Sequence, residues 1–102
     1  MYITDHAKDR IRERCGLPKK ALERNAKNAL EKGVRHNECI GTLRKYVDCL
    51  FLSHKNGNNI RIYNNYSYIF CNDRLITVLL LPNIYKDALN KTIKKREVLA
   101  MT

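Results

Sequence analysis

No stretch of this sequence is apolar enough for a membrane. The longest such run, Leu75 to Leu81, is interrupted by Thr77 and falls far short of the roughly 18–20 residues that a spanning helix needs. The apolar core of a secretory leader is missing too, because positions 1–14 are charged throughout, so a reducing, cytoplasmic setting is expected. Cysteine pairs at clamp spacing are also lacking. Cys15, Cys39, Cys49 and Cys71 form no Cys-x-x-Cys, which argues against structural zinc and for unpaired, buried or half-buried thiols; no metal and no other cofactor is expected. Internal repeats and linkers are absent. Acidic residues are scarce: ten Asp and Glu stand against twenty Lys and Arg, a formal net charge of +10. In so small a body this surplus attracts phosphate and repels other basic surfaces. It points to nucleic acid, an acidic protein or an anionic membrane, and of these no membrane partner is expected.

What is present suits one folded domain over residues 1–102, with its core at about 3–82 and a C-terminal helix and basic tail at 83–102. The hydrophobic share of 44% and a mixed-sign charged share of 29% are ordinary for a globular chain. Thr4 or Asp5 can cap a first helix running to about Cys15, which Gly16 ends before Pro18 starts the next. That second helix, to Lys32, gathers Leu22, Ala26, Ala29 and Leu30 on one stripe and leaves Lys19, Lys20, Glu23, Lys27, Asn28 and Glu31 outside it. Residues Val34 to Gly41 read as a loop. From Thr42 to about His54, Leu43, Val47, Leu50 and Phe51 recur at helical spacing, although Val47 to Leu52 also fits a strand.

Three β-rich runs follow, Ile60 to Tyr63, Tyr66 to Cys71 and Arg74 to Leu81, joined by Asn64-Asn65 and Asn72-Asp73. Two-residue loops of this kind suit primed hairpin turns, which would set Tyr63 opposite Tyr66 and Cys71 opposite Arg74. One sheet face then collects Ile60, Ile62, Ile69, Ile76, Val78 and Leu80. The other collects Arg61, Tyr63, Tyr66, Tyr68, Phe70, Leu75, Thr77, Leu79 and Leu81. After Pro82, Asn83 can cap a last helix carrying Ile84, Ala88, Leu89 and Ile93, leading into Lys94, Lys95 and Arg96. The expected class is α+β, with two or three N-terminal helices on a three- to four-stranded antiparallel meander and a C-terminal helix.

Two constellations could carry chemistry. His6, Arg10 and Arg14, at spacings of four, share one line of the first helix. An imidazole in the first turn is kept neutral by the positive helix end and can act as a base, while the two guanidinium groups can hold a phosphate and oppose its developing charge. The same helix carries Asp5, Asp9 and Glu13, so a solvated, ion-paired face is the plainer reading. The second constellation is Tyr63, Tyr66 and Tyr68 beside Arg61, a stacking platform for unpaired bases if that face is open and a packing surface if it is covered. His36 and His54 show no partner at a diagnostic spacing.

The run His6-Ala7-Lys8-Asp9-Arg10-Ile11-Arg12-Glu13-Arg14, then Gly16-Leu17 and a second amphipathic helix ending at Gly33, resembles the opening of short bacterial and phage domains. With the strands Asn59 to Tyr63, Tyr68 to Phe70 and Leu75 to Val78, it is similar to the RelE-like and colicin-like ribonuclease superfamily over about residues 3 to 82. Cys15 is an additional residue before the glycine. The resemblance implies helices followed by an antiparallel sheet, and a metal-independent endoribonuclease of toxin type that binds RNA in preference to DNA. It implies His6, Arg10 and Arg14 as site residues. Tyr63 would orient or protonate the leaving group, and Arg61, Tyr66, Tyr68, Lys19, Lys20, Lys94 and Lys95 would hold the nucleic acid. An acidic antitoxin would be the partner. The alternative is a phage or mobile-element protein that blocks a host nucleic-acid-binding defence complex with the same basic surface and no catalysis.

Overall fold

The computed structural model describes residue 3, residues 5–16 and residues 19–101, with the side chains of His6, Arg10, Arg14, Cys15 and Lys19 outside the described set. The proposed Thr4 cap and the Pro18 helix start lie outside the described residues as well. Helices α1 (Asp5–Cys15) and α2 (Lys19–Lys32) come first, then the two-residue strand β1 (Val34–Arg35) and a 3-10 turn (His36–Glu38). Helix α3 (Gly41–Ser53), strands β2 (Asn59–Tyr63), β3 (Tyr66–Cys71) and β4 (Arg74–Leu80), a second 3-10 turn (Asn83–Tyr85) and α4 (Lys86–Met101) complete the chain. This is an α+β fold built on one antiparallel sheet in the order β1-β2-β3-β4. Among the described residues no helix is long and apolar enough to cross a membrane.

Local sequence explains most of these boundaries. Gly16 ends α1 with φ +63°, a backbone state open to glycine at little cost. Asn64 and Asn65 both have positive φ, the requirement of a type I′ turn, and the pairing Tyr63 opposite Tyr66 follows. In the second hairpin only Asn72 has positive φ. There Asn58 accepts from the Asn72 backbone N–H through Oδ1 at 2.7 Å and donates to Asn72 Oδ1 at 3.0 Å. Of residues 42–54, ambiguous between helix and strand, 42–53 are helical because Leu43, Val47 and Leu50 form a buried stripe, and His54 is the C-cap; Phe51 stays 44% exposed. Val34 and Arg35, expected in a loop, pair with Ile62 and Arg61 as an edge strand. Ile84, expected on the last helix, sits in the second 3-10 turn and is exposed.

Helical layers cover both faces of the sheet. On one, Ala7 and Ile11 of α1 and Leu22, Ala26 and Ala29 of α2 pack against Tyr68, Phe70, Leu75 and Val78, with Leu30, Tyr63 and Tyr66 at the margin. On the other, Leu43, Val47 and Leu50 of α3 and Leu89 of α4 pack against Ile60, Ile62, Ile69 and Leu81, flanked by Leu79 and Ile93. Burying each of the large side chains stabilises the fold by about 1.5–3 kcal/mol.

The facing of β4 departs from simple alternation. Cys71 pairs with Arg74 and Phe70 with Leu75, yet Ile69 pairs with Thr77, Tyr68 with Val78 and Tyr66 with Leu80. Ile76 is therefore an additional residue, a β-bulge, and everything after it exchanges faces. Val78 joins the tyrosine side, while Leu79 and Leu81 join the aliphatic side, the reverse of the unbulged expectation.

That exchange carries Thr77 to the α3/α4 side, where its Oγ1 is buried with no hydrogen-bond partner among the described residues. An unsatisfied buried hydroxyl costs about 1–3 kcal/mol, and valine has the same shape without it. Thr77→Val is expected to raise unfolding stability by about 1 kcal/mol, measured by urea denaturation; a loss of stability would show that the hydroxyl is hydrogen-bonded.

Candidate functional site

The tyrosine face lies largely under the α1/α2 layer. Tyr68 is 1% exposed beneath the α1/α2 layer, its ring stacked on Phe70 at 6.4 Å and 16°. It offers no surface to a base. Tyr63 and Tyr66 are half-buried at the margin of the same core. The expected stacking platform is thus a packing surface: alternation puts these rings and Phe70 on one face, and α1 and α2 need that face to bury Ala7, Ile11, Leu22, Ala26 and Ala29.

Arg61 has a structural engagement in place of the expected phosphate contact. From β2 its Nη1 donates to the Leu30 carbonyl at 3.0 Å and its Nε to Asn59 Oδ1 at 2.9 Å. Leu30 lies in the last turn of α2, where carbonyls lack helical donors and a cation is favoured. Burial, followed by the nearby Arg35, depresses the guanidinium pKa. Arg96, from α4, serves the same helix end, donating to the carbonyls of Lys32 at 2.9 Å and Gly33 at 3.3 Å. Two arginines from elements far apart in sequence therefore cap α2.

His6, Arg10 and Arg14 occupy successive turns of α1, and their side chains lie outside the described residues, as does that of Lys19. Lys20 is exposed on α2, where it lines a shallow depression with Glu23, Arg24 and Lys27. Lys94 and Lys95 are exposed on α4, which packs on the opposite face of the sheet from α2. The structure thus separates two basic groups that the sequence suggested as one surface. Ion pairs among the described residues are His36–Asp48, Arg44–Asp48 and Arg96–Glu38. None involves a lysine, and none involves Arg24.

His36, without a visible partner in the sequence, has one in space. Its Nε2 donates to Asp48 Oδ1 at 2.5 Å, and Arg44 Nε reaches the same oxygen at 3.2 Å, while the imidazole lies 5.6 Å from the Phe51 ring. The hydrogen bond from His36 is the main cause that holds the Asp48 carboxyl below its usual range, with Arg44 assisting against partial desolvation. Cys39 is buried, its Sγ donating to the Arg35 carbonyl at 3.3 Å, and burial pushes its thiol up to about 11, which disfavours the reactive thiolate. Cys49 is exposed and Cys71 half-buried, both unpaired. Among the described residues no group of three or more His, Cys, Asp or Glu is placed to hold a metal ion.

Two measurements test these assignments. Arg61→Ala should lower unfolding stability by about 1–2 kcal/mol, because charge-assisted bonds to a helix end are lost; an unchanged stability would return Arg61 to a ligand-binding role. Asp48 titrates at a depressed value, so its tie to His36 stabilises the fold above the ordinary carboxylate range and is lost as pH falls through the folded-state value. His36→Ala should therefore raise the titration point of Asp48 in an NMR pH series, and no shift would refute the coupling.

Compared with models of known protein families, with curated proteins and with solved structures, the chain matches none.

Proposed function

We propose that this chain is a nucleic-acid-binding protein that grips the phosphate backbone through the outer surface of its α1/α2 layer and acts by occupancy, with no cleavage of its own. One observation carries the reading: Lys20, Arg24 and Lys27 follow one another along the exposed side of α2 with no ion-pair partner among the described residues. Unneutralised cations on a chain of formal charge +10 can take the place of the cations condensed on a polyanion, whose release supplies affinity without sequence reading. Lys8, Arg12 and Lys32 add to the charge of the same layer. A surface of this kind suits a protein that competes for the nucleic-acid channel of another complex.

The ribonuclease reading sets RNA beside Tyr63, Tyr66 and Tyr68; of these, Tyr68 is buried under the α1/α2 layer, and Tyr63 and Tyr66 are half-buried at its margin. His6 on α1 remains the residue by which catalysis would be recognised. The RelE-like relationship stays a proposal resting on the opening motif and the run of strands that follows it.

Binding of single-stranded RNA and DNA should follow a linear fall of log affinity with log salt, at a slope of about −0.7 per neutralised phosphate. Lys20→Glu with Arg24→Glu and Lys27→Glu should weaken both by about tenfold or more at low salt and flatten that slope. Fluorescence anisotropy over a salt series makes the measurement. Affinity indifferent to salt, or RNA cleavage by wild type that His6→Ala abolishes, would overturn the proposal.

A further inference from the structure

At the C-terminal end of α2, cationic side chains from four separate elements meet. Lys32 closes the helix, Arg35 lies in β1, Arg61 stands directly opposite it in β2 and Arg96 arrives from α4. Beside them opens a pocket of about 380 Å³ walled by Lys32, Gly33, Arg35, Asn37, Glu38 and Arg96, with Glu31 as the remaining lining residue. That volume lies in the range of small-ligand sites.

The charges here are unevenly engaged. Arg61 and Arg96 are held on the helix-end carbonyls. Glu38 accepts from the backbone N–H of Arg35 at 2.9 Å and stands 3.6 Å from Arg96. The Arg35 guanidinium and the Lys32 ammonium, both on exposed residues, have no hydrogen-bond or ion-pair partner among the described residues. Like charges directly across a strand pair repel, so Arg35 opposite Arg61 is a standing cost that an added anion would relieve. Arg96 is already ordered by two carbonyls, so little conformational freedom remains to be lost when an anion arrives.

We propose that this pocket binds a phosphate group, and a terminal phosphate of a nucleic acid in preference to an internal phosphodiester. A terminal phosphate ester carries nearly two negative charges near neutral pH where a diester carries one, and Lys32 and Arg35 can each meet one of them, with the Asn37 amide as a further donor. Glu31 and Glu38 in the wall oppose a second phosphate, which disfavours a strand passing straight through. This inference rests on the nucleic-acid reading for the source of the phosphate, and the pocket chemistry stands by itself.

The test compares a short single-stranded DNA with a 5′-phosphate against the same strand with a 5′-hydroxyl, by anisotropy at about physiological salt, where exposed charges are screened beyond about 8 Å. Wild type should prefer the phosphorylated strand by about fivefold or more. Arg35→Gln with Lys32→Gln should bring the ratio to one, whereas the triple α2 substitution should weaken both strands and keep the ratio. Arg35→Gln retains the backbone N–H that Glu38 accepts, so the local fold survives it. Inorganic phosphate should shift the amide signals of residues 33–38 in wild type and leave them unmoved in the double variant. A nucleoside 5′-monophosphate that competes as well as the phosphorylated strand would assign the pocket to small phosphate esters and overturn the preference for nucleic-acid ends. Equal affinities for the two strands, or a ratio that survives Arg35→Gln with Lys32→Gln, would overturn the pocket while leaving α2-dependent binding intact. Phosphate shifts at residues 33–38 with no affinity for either strand would defeat the proposed function and spare the pocket.

Discussion

Ser67, Tyr68, Ile69 and Phe70, the middle of β3, are buried without interruption, and a strand buried on both faces must have a layer on each side of its sheet. Helices α1 and α2 cover the side of Tyr68 and Phe70, and α3 and α4 cover that of Ile69. With both faces occupied, the surplus of basic residues is confined to the outer surfaces of the helices and to the sheet margins. The same constraint buries Tyr68 and Phe70 and leaves Tyr63 and Tyr66 half-buried at the margin of the core.

How much of this was legible in the sequence depends on range. Turn chemistry at Asn64-Asn65 and Asn72-Asp73 set the hairpins, and the stripe Leu22, Ala26, Ala29 marked the inner side of α2, because both signals are complete within a few residues. The bulge at Ile76 was not legible: a period-two reading assumes unbroken alternation, and nothing in Leu75-Ile76-Thr77 distinguishes an additional residue from a paired one. Tyr63, Tyr66 and Tyr68 suited an open face or a covered one equally well, since tyrosine serves both. The choice fell to helices distant in sequence.

The candidate sites divide in the same way. Lys20 was correctly read as lying outside the apolar stripe of α2. Arg61, read as a phosphate ligand, serves Leu30, a residue 31 positions away, and Arg96, seen only as part of a basic run, serves Lys32 and Gly33 across 64 and 63. Such long-range caps leave no periodic trace. His36 with Asp48, 12 residues apart on different elements, was hidden for the same reason.

The outer margin of β1 has a further consequence for assembly. The Arg35 N–H is taken by Glu38, its carbonyl by the Cys39 thiol, and the carbonyl of Gly33 just before the strand by Arg96. An incoming β-strand would find these ladder positions occupied, so the sheet is closed to lateral growth on that side. Self-association by edge pairing is suppressed there in a chain whose opposite margin, β4, is partly sealed by the bridge between Ile3 and Leu75. Any partner approaching the β1 margin has to be recognised through side chains.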